Sequence, residues 1–406
     1  MPKQRNAGIL VINCGSSSLK FSLFDSDSLL QFWSGSVSPI GEGKGTLEIK
    51  TNNHKILESR SGNFKDLAIA VNEVITWLKD KKQDYPIVAI GHRLVQGGPK
   101  HREPEIINPK LLKTLDEFVY LAPNHLPEEI QTIKTFQSAF PDVPEVACFD
   151  TAFHKNMPPH AKYYPLPAKY EDKGLIKYGF HGLSYQYILQ ELMAKESAAI
   201  KQNIIIAHLG NGASMAAVKN GISVDTTMGI SPIGGLVMGT RSGDLDPGAL
   251  LFILKQDKLT ANQLDDLLSK DSGLKAIAGK SDIRELLKAE ADNPKAAAAL
   301  TVFCYSARKF IGALAAAMGG LDLLIFTGGI GENSTIIRSR ICEGLEFIGI
   351  EISKTRNKAN EPIISKNKSR VSIRVTPTNE ELMIARLTVD LLNHKINNSY
   401  GNQNNE

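Results

Sequence analysis

Hydrophobic residues near the beginning of the chain form two runs that are separated by a turn of glycine and serine. Residues 9–12 (ILVI) are continuously apolar and rich in β-branched side chains, which is typical of a strand buried on both faces. After residues 15–18 (GSSS), the apolar Leu19, Phe21 and Leu23 alternate with other residues. This pattern predicts a strand, a tight turn and a second strand.

Two further short apolar runs predict buried strands in the first half of the chain. They are residues 87–91 (IVAIG) and residues 146–149 (VACF), and helical stretches such as residues 111–120 lie between them. Because strands alternate with helices in this region, we expect an α/β domain.

The pattern of the first hairpin recurs about half a chain later. Residues 204–209 (IIIAHL) predict a strand, residues 210–214 (GNGAS) a turn of small residues, and residues 215–218 a second strand before Asn220 and Gly221. Two hairpins of this kind indicate a duplicated fold.

A third glycine-rich turn is predicted after a strand near the end of the chain. Residues 322–327 (DLLIFT) predict the strand, and residues 328–331 (GGIG) predict the turn. Asn333 is then the candidate N-cap of a helix over residues 336–345.

Length and charge favour a protein of two domains without a polyanionic partner. The chain has 406 residues, of which 42% are hydrophobic and 22% charged, and a single core stops growing at roughly 250–300 residues. The net charge of +4 is small and no long run of basic residues occurs. We therefore expect neither a nucleic-acid nor a membrane partner.

Cysteine spacing and the apolar segments predict a cytoplasmic location. The four cysteines are far apart and form no CxxC pair, as in a reduced protein. The polar residues 1–8 and the short apolar run after them do not resemble a signal peptide. The apolar residues 310–318 are fewer than the roughly 20 that a membrane-spanning helix needs. We therefore expect a soluble chain.

Each glycine-rich turn, taken alone, is explained by the backbone preferences of glycine and serine. A Walker-type phosphate loop is excluded, because the sequence has no GxxxxGK[ST] string and a strand follows the first turn. A hairpin can still direct backbone N–H groups and hydroxyls at one anion, and Lys20 adds a positive charge. Two hairpins and a glycine turn in one chain therefore favour a nucleotide clamp over three unrelated turns.

Two arginines and three histidines lie where α/β proteins present functional side chains. Arg93 follows a predicted strand and Arg241 stands between glycines, so either guanidinium could bind a carboxylate or phosphate through two hydrogen bonds. The alternative for each is a structural ion pair. His125, His181 and His208 lie beside prolines, glycines or strand ends, where a ring could face a cleft. A lone histidine is more often structural.

Two carboxylates are candidates for a metal site. Asp150 follows a predicted strand, and Glu380 lies in the segment PTNEE. Both could be cap or turn residues, but a phosphoryl-transfer enzyme needs one or two such oxygen ligands for Mg²⁺. A zinc site made of Cys148, His154 and His160 is not expected, because their spacing matches no zinc pattern.

Eight segments of the chain, taken in order, closely resemble the acetate kinase (acetokinase) family. They are INCGSSSLK, GHRLVQGG, FDTAFH, YGFHGLS, HLGNGAS, MGTRSGDLDPG, FTGGIGENS and PTNEEL, and the resemblance runs from about Gly8 to about Leu392. It implies an α/β fold of two duplicated actin-like (ribonuclease H-like) domains with a nucleotide cleft between them. The implied domains are residues 1–150 with 384–406, whose C-terminal helix packs back, and residues 151–383, which bind the nucleotide.

The resemblance also implies roles for residues around the reacting groups. Arg93 and Arg241 match the two arginines that hold the substrate. Asp150 matches the family's catalytic aspartate, and His181 matches its transition-state histidine. His125 falls on another active-site position. The implied acyl pocket consists of Arg93, Val95, Phe180 and Pro232.

Further positions match the family's metal and nucleotide sites. Asn13 and Glu380 correspond to the Mg²⁺ site, where Mn²⁺ is an alternative cation. The positions in the two phosphate loops and the adenosine site are Ser16, Ser18, Lys20, His208, Leu209, Gly210, Asn211, Gly212, Asp282, Ile283, Arg284, Gly331, Glu332, Asn333, Ser334 and Thr335.

The implied reaction is ATP + acetate ⇌ ADP + acetyl phosphate, by direct in-line transfer with Mg²⁺. Cations and N–H donors suit this chemistry, because charge spreads over the equatorial oxygens of a loose transition state. Acetate is ionised at neutral pH and needs no general base, so we expect Asp150 to orient Arg93 or a Mg²⁺-bound water. The family also implies a homodimer.

Two other functions stay open at this point. A propionate kinase or another short-chain acyl kinase of the same family would differ in the volume of its acyl pocket. An actin-like or chaperone-like ATP switch would bind nucleotide without making acyl phosphate. Such a switch would not need Arg93, Arg241 and His181.

Six positions depart from the family's usual residues. Asn124 replaces a leucine beside the acyl pocket, and Cys14 replaces an alanine. By strand alternation Cys14 points away from Asn13, which indicates a small core residue. The other departures are Gln96, Leu183, Tyr185 and Gly234.

Overall fold

A computed structural model of the protein divides into two compact units. Unit one is Met1–Ala152 with Asn379–Glu406, and unit two is Phe153–Thr378. The structure describes residues 7–15, 17–41, 43–81 and 85–403, with side chains to residue 394. Ser16, which the resemblance assigns to a phosphate loop, lies outside the described residues.

The division falls near the predicted domain boundaries but not on them. The chain leaves unit one after Ala152 rather than after Asp150, and it returns at Asn379 rather than at residue 384. The return is earlier because the last helix begins at Glu380 and packs on strands of unit one. Glu380 therefore belongs to unit one.

Strands and helices alternate along most of the described chain. The strands are β1 (Gly8–Cys14), β2 (Leu19–Asp25), β3 (Gln31–Ser38), β4 (Lys44–Thr51), β5 (Ile56–Asn63), β6 (Ile87–Leu94), β7 (Glu105–Ile106), β8 (Glu145–Phe149), β9 (Asn203–Leu209), β10 (Ala213–Lys219), β11 (Ile222–Thr226), β12 (Leu323–Thr327) and β13 (Ser372–Val375). The helices are α1 (Leu67–Lys81), α2 (Pro109–Glu117), α3 (Leu126–Ala139), α4 (Pro159–Lys162), α5 (Ala168–Glu171), α6 (Gly182–Lys195), α7 (Pro247–Gln256), α8 (Ala261–Lys270), α9 (Gly273–Ala278), α10 (Ile283–Ala289), α11 (Pro294–Met318), α12 (Gly328–Asn333), α13 (Thr335–Cys342), α14 (Lys354–Lys358) and α15 (Glu380–Gln403). Short 3₁₀ turns are Val119–Leu121, Ala152–His154, Ser197–Lys201 and Glu346–Ile348.

The sheet of unit one has eight strands in the order β5-β4-β3-β2-β1-β6-β8-β7. β1 pairs antiparallel with β2 and parallel with β6, and β6 pairs parallel with β8. A hydrogen bond of 2.8 Å from Gly15 N to Ser18 O closes the turn between β1 and β2. The predicted strand, turn and strand at the start of the chain are confirmed.

The sheet of unit two has five strands in the order β11-β10-β9-β12-β13. The pairs β11–β10 and β10–β9 are antiparallel, whereas β9–β12 and β12–β13 are parallel. This is the pairing of β3, β2, β1, β6 and β8 in unit one. The predicted duplication and the α/β fold class are confirmed by this topology.

The core of unit one brings two helices against its central strands. β1 is buried along its whole length, as its apolar run predicted. Val71, Val74 and Leu78 of α1 belong to the same buried cluster as residues of β1. α15 approaches β6 closely, since a Cβ on Gly91 would lie only 2.4 Å from Thr388 Oγ1. Glycine at this position lets the last helix lie directly on the strand that carries Arg93.

The glycine turn predicted after β12, and its N-cap, are wrong. Gly328 has a φ of +76°, and the chain passes from β12 directly into the short helix α12. Asn333 ends α12 and donates from Nδ2 to Gly329 O at 2.9 Å. Ser334 is the N-cap of α13, where its side chain accepts a hydrogen bond from Ile337 N.

Among the described residues, one helix is long and apolar enough to cross a membrane. It is α11, and the expectation based on residues 310–318 considered only its last part. Ala299, Phe303 and Leu314 of α11 are buried in unit two. Length and composition alone do not distinguish a membrane span from such a core helix, so the feature carries little weight.

Candidate active site

Three side chains meet at the carboxyl ends of neighbouring strands in unit one. Asn13 lies near the end of β1, Arg93 near the end of β6, and Asp150 directly after β8. Arg93 Nη2 lies 2.5 Å from Asp150 Oδ2. Arg93 Nη1 donates to Asn13 Oδ1 at 3.4 Å and to Cys14 O at 3.2 Å. The parallel pairing of the strands brings these residues to one edge of the sheet.

Glu380 joins this group from the first turn of α15. Asn13 Nδ2 donates to Glu380 Oε2 at 3.4 Å. Burial raises the pKa of Glu380, although the charges of Arg93 and Lys20 act in the other direction. Burial also opposes the charge of Arg93, but Asp150 and Glu380 outweigh it and raise the pKa of Arg93. We call Asn13, Arg93, Asp150 and Glu380 the charged cluster.

The charged cluster has the donor atoms that Mg²⁺ prefers. The carboxylates of Asp150 and Glu380 and the amide oxygen of Asn13 are hard oxygen ligands. A divalent cation would also offset the cost of placing two carboxylates beside one arginine. Within the described residues no group of three or more His, Cys, Asp or Glu side chains is arranged to hold a metal. With two carboxylates and one amide oxygen, the charged cluster fits an ion that keeps several of its waters.

Two predicted residues of the first phosphate loop are described by the structure. Ser18 ends the turn between β1 and β2, and Lys20 follows it on β2. Ser18 is partly exposed, and Lys20 is exposed on β2. Lys20 is near enough to Glu380 to lower its pKa. Both side chains are therefore accessible to an anion bound beside the charged cluster.

Glu129 lies close to the charged cluster and was not predicted from the sequence. Its Oε1 and Oε2 accept hydrogen bonds from Val95 N at 3.3 Å and 3.1 Å. Burial raises the pKa of Glu129 to about 8, despite the opposing charge of Arg93. Helical spacing places Glu129 on the same face of α3 as the buried Leu126 and Ile130, and this was the signal that could have identified it.

The segments around Val95 and His125 are held in unit one by buried groups. Val95 is buried directly after β6, and the buried Gln96 accepts a hydrogen bond from Gly98 N at 2.9 Å. His125 is half-buried at the N-cap of α3, where its side chain makes no capping hydrogen bond. Asn124, the departure expected beside the acyl pocket, is exposed.

Cys14 is a core residue, as predicted. Its thiol is buried and donates to Thr132 Oγ1 at 3.7 Å. Burial raises the pKa of Cys14 to about 12. Because the thiolate is the reactive form of cysteine, this thiol is inert at neutral pH.

In unit two, His181 and His208 stack on each other, and each ring is hydrogen-bonded to a serine hydroxyl group. Their ring centroids are 4.4 Å apart, with planes inclined by 20°. His181 Nδ1 is 2.8 Å from Ser214 Oγ, which also hydrogen-bonds to the Tyr185 hydroxyl. His208 Nδ1 is 2.8 Å from Ser184 Oγ. Tyr185, a departure from the family, thus completes the chain that orients His181.

Arg241 and His181 converge on the second glycine turn. A Cβ placed on Gly212 would lie 3.4 Å from Arg241 Nη1 and 3.4 Å from His181 Nε2. Arg241 Nη1 also donates to Pro232 O at 3.1 Å. Phe180, which precedes His181, is buried. Glycine at residue 212 therefore leaves open the space that both side chains face.

The rest of the second predicted phosphate loop is a tight turn after β9. Leu209 is buried at the end of β9, and Gly210 N donates to Gly212 O at 3.0 Å. Asn211 packs against Gly239, where a Cβ would lie 2.3 Å from Asn211 Oδ1. The loop is thus packed on one side against the glycine segment that carries Arg241.

The residues predicted for the adenosine site have mainly local partners. Asp282 is the N-cap of α10, and its carboxylate accepts from Arg284 N at 2.7 Å and from Arg284 Nη2 at 2.6 Å. The Arg284 side chain lowers the pKa of Asp282 to about 2. Ile283 is buried, whereas the Arg284 side chain is largely exposed. Asp282 and Arg284 therefore form an exposed capping pair.

Glu332 fixes the start of α12 rather than facing outward. Its Oε1 accepts from Gly328 N at 2.9 Å and from Thr378 N at 3.1 Å. Thr378 Oγ1 in turn accepts from Ser184 Oγ at 2.9 Å. The Glu332 carboxylate therefore links α12 to Thr378. Thr378 is in turn bonded to Ser184, which is the hydrogen-bond partner of His208. Thr335 begins α13 immediately after its N-cap.

Arg338 is a further residue of unit two that was not predicted from the sequence. It is fully buried, and Nη1 donates to Gly331 O and Glu332 O at 2.8 Å each. Its other donors bond to Asn357 and Asn360. These acceptors are all neutral, so Arg338 holds the predicted adenosine segment by hydrogen bonds from a buried cation. Its place between apolar residues of α13 was the available signal.

The two remaining departures from the family are accommodated locally. Leu183 is a buried residue in the first turn of α6. Gly234 lies beside Asp244, since a Cβ there would be 3.1 Å from Asp244 Oδ1. That oxygen accepts from Gly235 N at 2.6 Å. Neither departure changes a side chain of the charged cluster.

Comparison with known proteins agrees along nearly the whole chain. The model of the acetokinase family matches residues 8–386. The acetate kinase of Carboxydothermus hydrogenoformans is 44% identical over 402 residues, which cover 95% of this chain and 100% of that protein. The crystal structure of Porphyromonas gingivalis acetate kinase matches with a TM-score of 0.85 and 38% identity over 95% of this chain and 100% of that chain.

A crystal structure of an enzyme that is named for a different substrate resembles this chain to a comparable degree. A propionate kinase from Francisella tularensis matches with a TM-score of 0.88 and 36% identity, over 95% of this chain and 99% of that chain. The match of the family model and the identity to full-length relatives show that this chain belongs to the acetokinase family.

Proposed function

We propose that this protein is an acetate kinase that transfers phosphoryl reversibly between ATP and acetate. The proposal rests mainly on the hydrogen bonding of the Arg93 guanidinium group. Its guanidinium is oriented by Asp150, yet Nε is buried and has no hydrogen-bond acceptor within the described residues. An unsatisfied buried donor costs about 1–3 kcal/mol, and an anionic oxygen would remove that cost. Arg93 is therefore suited to bind a carboxylate.

Asp150 acts on Arg93 rather than on a proton. Acetate is already ionised at neutral pH, so the acceptor needs no general base. The short contact between Asp150 and Arg93 holds the guanidinium fork in one orientation and keeps it charged. Asp150 thus prepares the binding site of the acyl anion.

Arg241 and His181 stabilise the charge on the phosphoryl group in flight. Where Tyr185 donates to Ser214 and Ser214 donates to His181 Nδ1, the ring proton lies on Nε2, which faces the space above Gly212. His181 can then donate from Nε2 without becoming charged. Arg241 adds a permanent positive charge on the same side of Gly212. Such donors act mainly in the transition state.

The magnesium ion belongs to the charged cluster in this proposal. Asn13 and Glu380 would hold it, with Asp150 accepting from one of its waters, and Mn²⁺ could substitute. When bound, the ion neutralises the phosphate oxygens of the nucleotide. ATP and ADP are the nucleotides, with Ser18 and Lys20 as donors to their phosphates.

A test of this function measures acyl phosphate by trapping it as a hydroxamate. We expect the protein to form it from acetate and ATP with Mg²⁺, to lose the activity with a chelator, and to regain it with Mg²⁺ or Mn²⁺. Binding or hydrolysis of ATP without acyl phosphate from acetate, propionate or butyrate would favour an actin-like switch and reject the proposal.

Propionate is the second candidate acceptor, because a propionate kinase is as similar in structure as an acetate kinase. Val95, Phe180 and Pro232 are the residues that the family resemblance assigns to the acyl pocket. One methylene group in such a pocket is worth about 1–3 kcal/mol. Comparing kcat/KM for acetate, propionate and butyrate distinguishes these enzymes, and a clear preference for propionate would change the proposed substrate.

We also propose that the protein is a cytoplasmic homodimer. α7 buries none of its residues although it is apolar, and Leu251 and Phe252 on it are 54% and 65% exposed. A second copy would cover such a face. All four cysteines are free and buried, in keeping with a reducing compartment. Light scattering should give the mass of two chains, and a monomer at micromolar concentration would contradict the dimer.

A further inference from the structure

Glu129 is a buried carboxyl group to which the proposed reaction assigns no role. It lies in the first turn of α3 and is only 3% exposed. Both of its oxygens point to one donor, Val95 N, at 3.1 Å and 3.3 Å. Burying a carboxyl group is costly, so its position needs a compensating interaction.

Val95 depends on this interaction because it has left the sheet. β6 ends at Leu94, whose carbonyl still accepts from Asp150 N at 2.9 Å. The next amide, that of Val95, has the Glu129 carboxyl as its acceptor. Val95 is itself buried, and a buried N–H without an acceptor would cost about 1–3 kcal/mol. Glu129 therefore fixes the backbone two residues beyond Arg93.

The charges around Glu129 connect it to the site of the proposed acyl anion. Arg93 stabilises its ionised form, whereas Asp150 and Glu128 oppose it. Burial is the main cause of the raised pKa of Cys14 at the end of β1, and the charge of Glu129 adds to it. The carboxyl is thus near the arginine that binds the substrate, but its hydrogen bonds go to Val95.

We propose that Glu129 is a positioning residue that holds Val95 in place and thereby sets the length of acyl chain that the enzyme accepts. The inference rests on the proposed acyl kinase function. Loss of the carboxyl frees the Val95 amide and lets this segment move, so that a longer acyl chain is discriminated less strongly. The effect falls on binding of the acyl group and hence mainly on KM.

The test compares three variants with the wild-type enzyme by kcat/KM for acetate and propionate. Glu129→Leu removes the acceptor of Val95 N, and we expect the preference between the two substrates to fall about tenfold, mainly through KM. Glu129→Gln keeps an oxygen acceptor and should retain the preference within about twofold. Glu128→Leu is the matched control, since Glu128 is exposed one residue earlier on the same helix, and it should leave the ratio unchanged.

Equal selectivity in wild type and Glu129→Leu would overturn the inference, as would an equal loss in Glu128→Leu. If Glu129→Leu does not fold, Glu129→Asp decides, because it keeps the acid but withdraws it by one methylene from Val95 N. Its selectivity should then fall towards that expected for leucine, and an unchanged ratio rejects the proposal. A wild-type protein that phosphorylates none of the carboxylates would instead reject the proposed function.

Discussion

The two units share one arrangement of five strands but build their candidate sites from different chemistry. In unit one, the ends of β1, β6 and β8 carry Asn13, Arg93 and Asp150 of the charged cluster, in which Arg93 pairs with the buried carboxylate of Asp150. In unit two, His181 and His208 at the corresponding glycine turn are held by hydroxyl groups of serine and tyrosine. The same topology therefore supports a buried ion pair in one copy and histidines held by neutral hydroxyl groups in the other.

This difference determines how each site should respond to mutation. Breaking a buried ion pair leaves a charge without its partner and costs about 3–5 kcal/mol. Breaking a neutral hydrogen bond costs about 0.5–1.5 kcal/mol. We therefore expect unit one to lose stability together with activity, whereas unit two should lose mainly activity.

The largest effect is expected for Arg93→Ala. It removes the proposed acyl ligand and leaves Asp150 buried without its cation, so kcat/KM should fall about a thousandfold and the free energy of unfolding by about 3 kcal/mol. Steady-state kinetics and urea unfolding measure the two quantities. Arg60→Ala, which breaks an exposed ion pair with Glu73, is the control and should cost less than about 1 kcal/mol.

A double-mutant cycle separates the pair from its surroundings. Because Asp150→Asn removes the charge that Arg93→Ala leaves unpaired, the double variant should be more stable than the sum of the two single losses predicts. Strict additivity would show that the two residues are not coupled in the folded protein.

The second-largest effect is expected for Arg241→Ala. Arg241 donates to the neutral Pro232 carbonyl and faces Gly212. We expect kcat to fall about a hundredfold while the free energy of unfolding changes by less than about 1 kcal/mol. Acyl phosphate formation within a few-fold of wild type would contradict the role given to Arg241. Unfolding of the variant would contradict the contrast between the units.

The pH dependence of stability tests the burial of Glu129. Its pKa rises on folding from 4.5 to about 8, so between these values the folded protein binds a proton that the unfolded chain has lost. Wild-type stability should therefore fall relative to Glu129→Gln as pH rises through this interval, by up to about 1.4 kcal/mol per pH unit, and level off above it. Urea unfolding at about pH 5, 7 and 9 measures the difference in the free energy of unfolding between the wild type and Glu129→Gln. A difference that does not vary with pH would mean that Glu129 ionises normally.

The smallest effect is expected for Tyr185→Phe. The change removes the hydroxyl group that hydrogen-bonds to Ser214 Oγ in the chain that orients His181. We expect kcat to fall about tenfold or less, with little change in KM for ATP. Tyr170→Phe, at an exposed tyrosine of the same unit, is the control. A loss as large as that of Arg241→Ala would show that the neutral chain carries more of the catalysis than a single hydrogen bond accounts for.

Local features of the fold followed from residue patterns, and the exceptions have local causes. The apolar runs at β1 and β9 and the small residues after them predicted both hairpins, because strand burial and tight turns are short-range properties. The turn predicted at Gly328 failed because glycine allows a direct entry into α12 as readily as a turn. Asn333 failed as an N-cap for a related reason, since Ser334 one residue later caps α13.

The residues of the candidate site also fall into those that were predicted from the sequence and those that were not. Arg93, Asp150, His181 and Arg241 were predicted as site residues from their places in the sequence and from the family resemblance, and their roles stay predictions. Glu129 and Arg338 were not predicted, because charged residues in helices are usually exposed, and their position beside apolar residues of a helix outweighs this rule only once their burial is known.

The sequence by itself determined the two hairpins, their duplication and the family, because each of these depends on short segments whose periodicity and order are visible in the chain. Tertiary structure decided which side chains become partners. Asn13 and Glu380 are separated by 367 positions and meet only because α15 packs on β1 and β6. The protonation of Glu129 and the orientation of Arg93 are likewise set by burial and by charges from distant segments, and these quantities exist only in the folded chain.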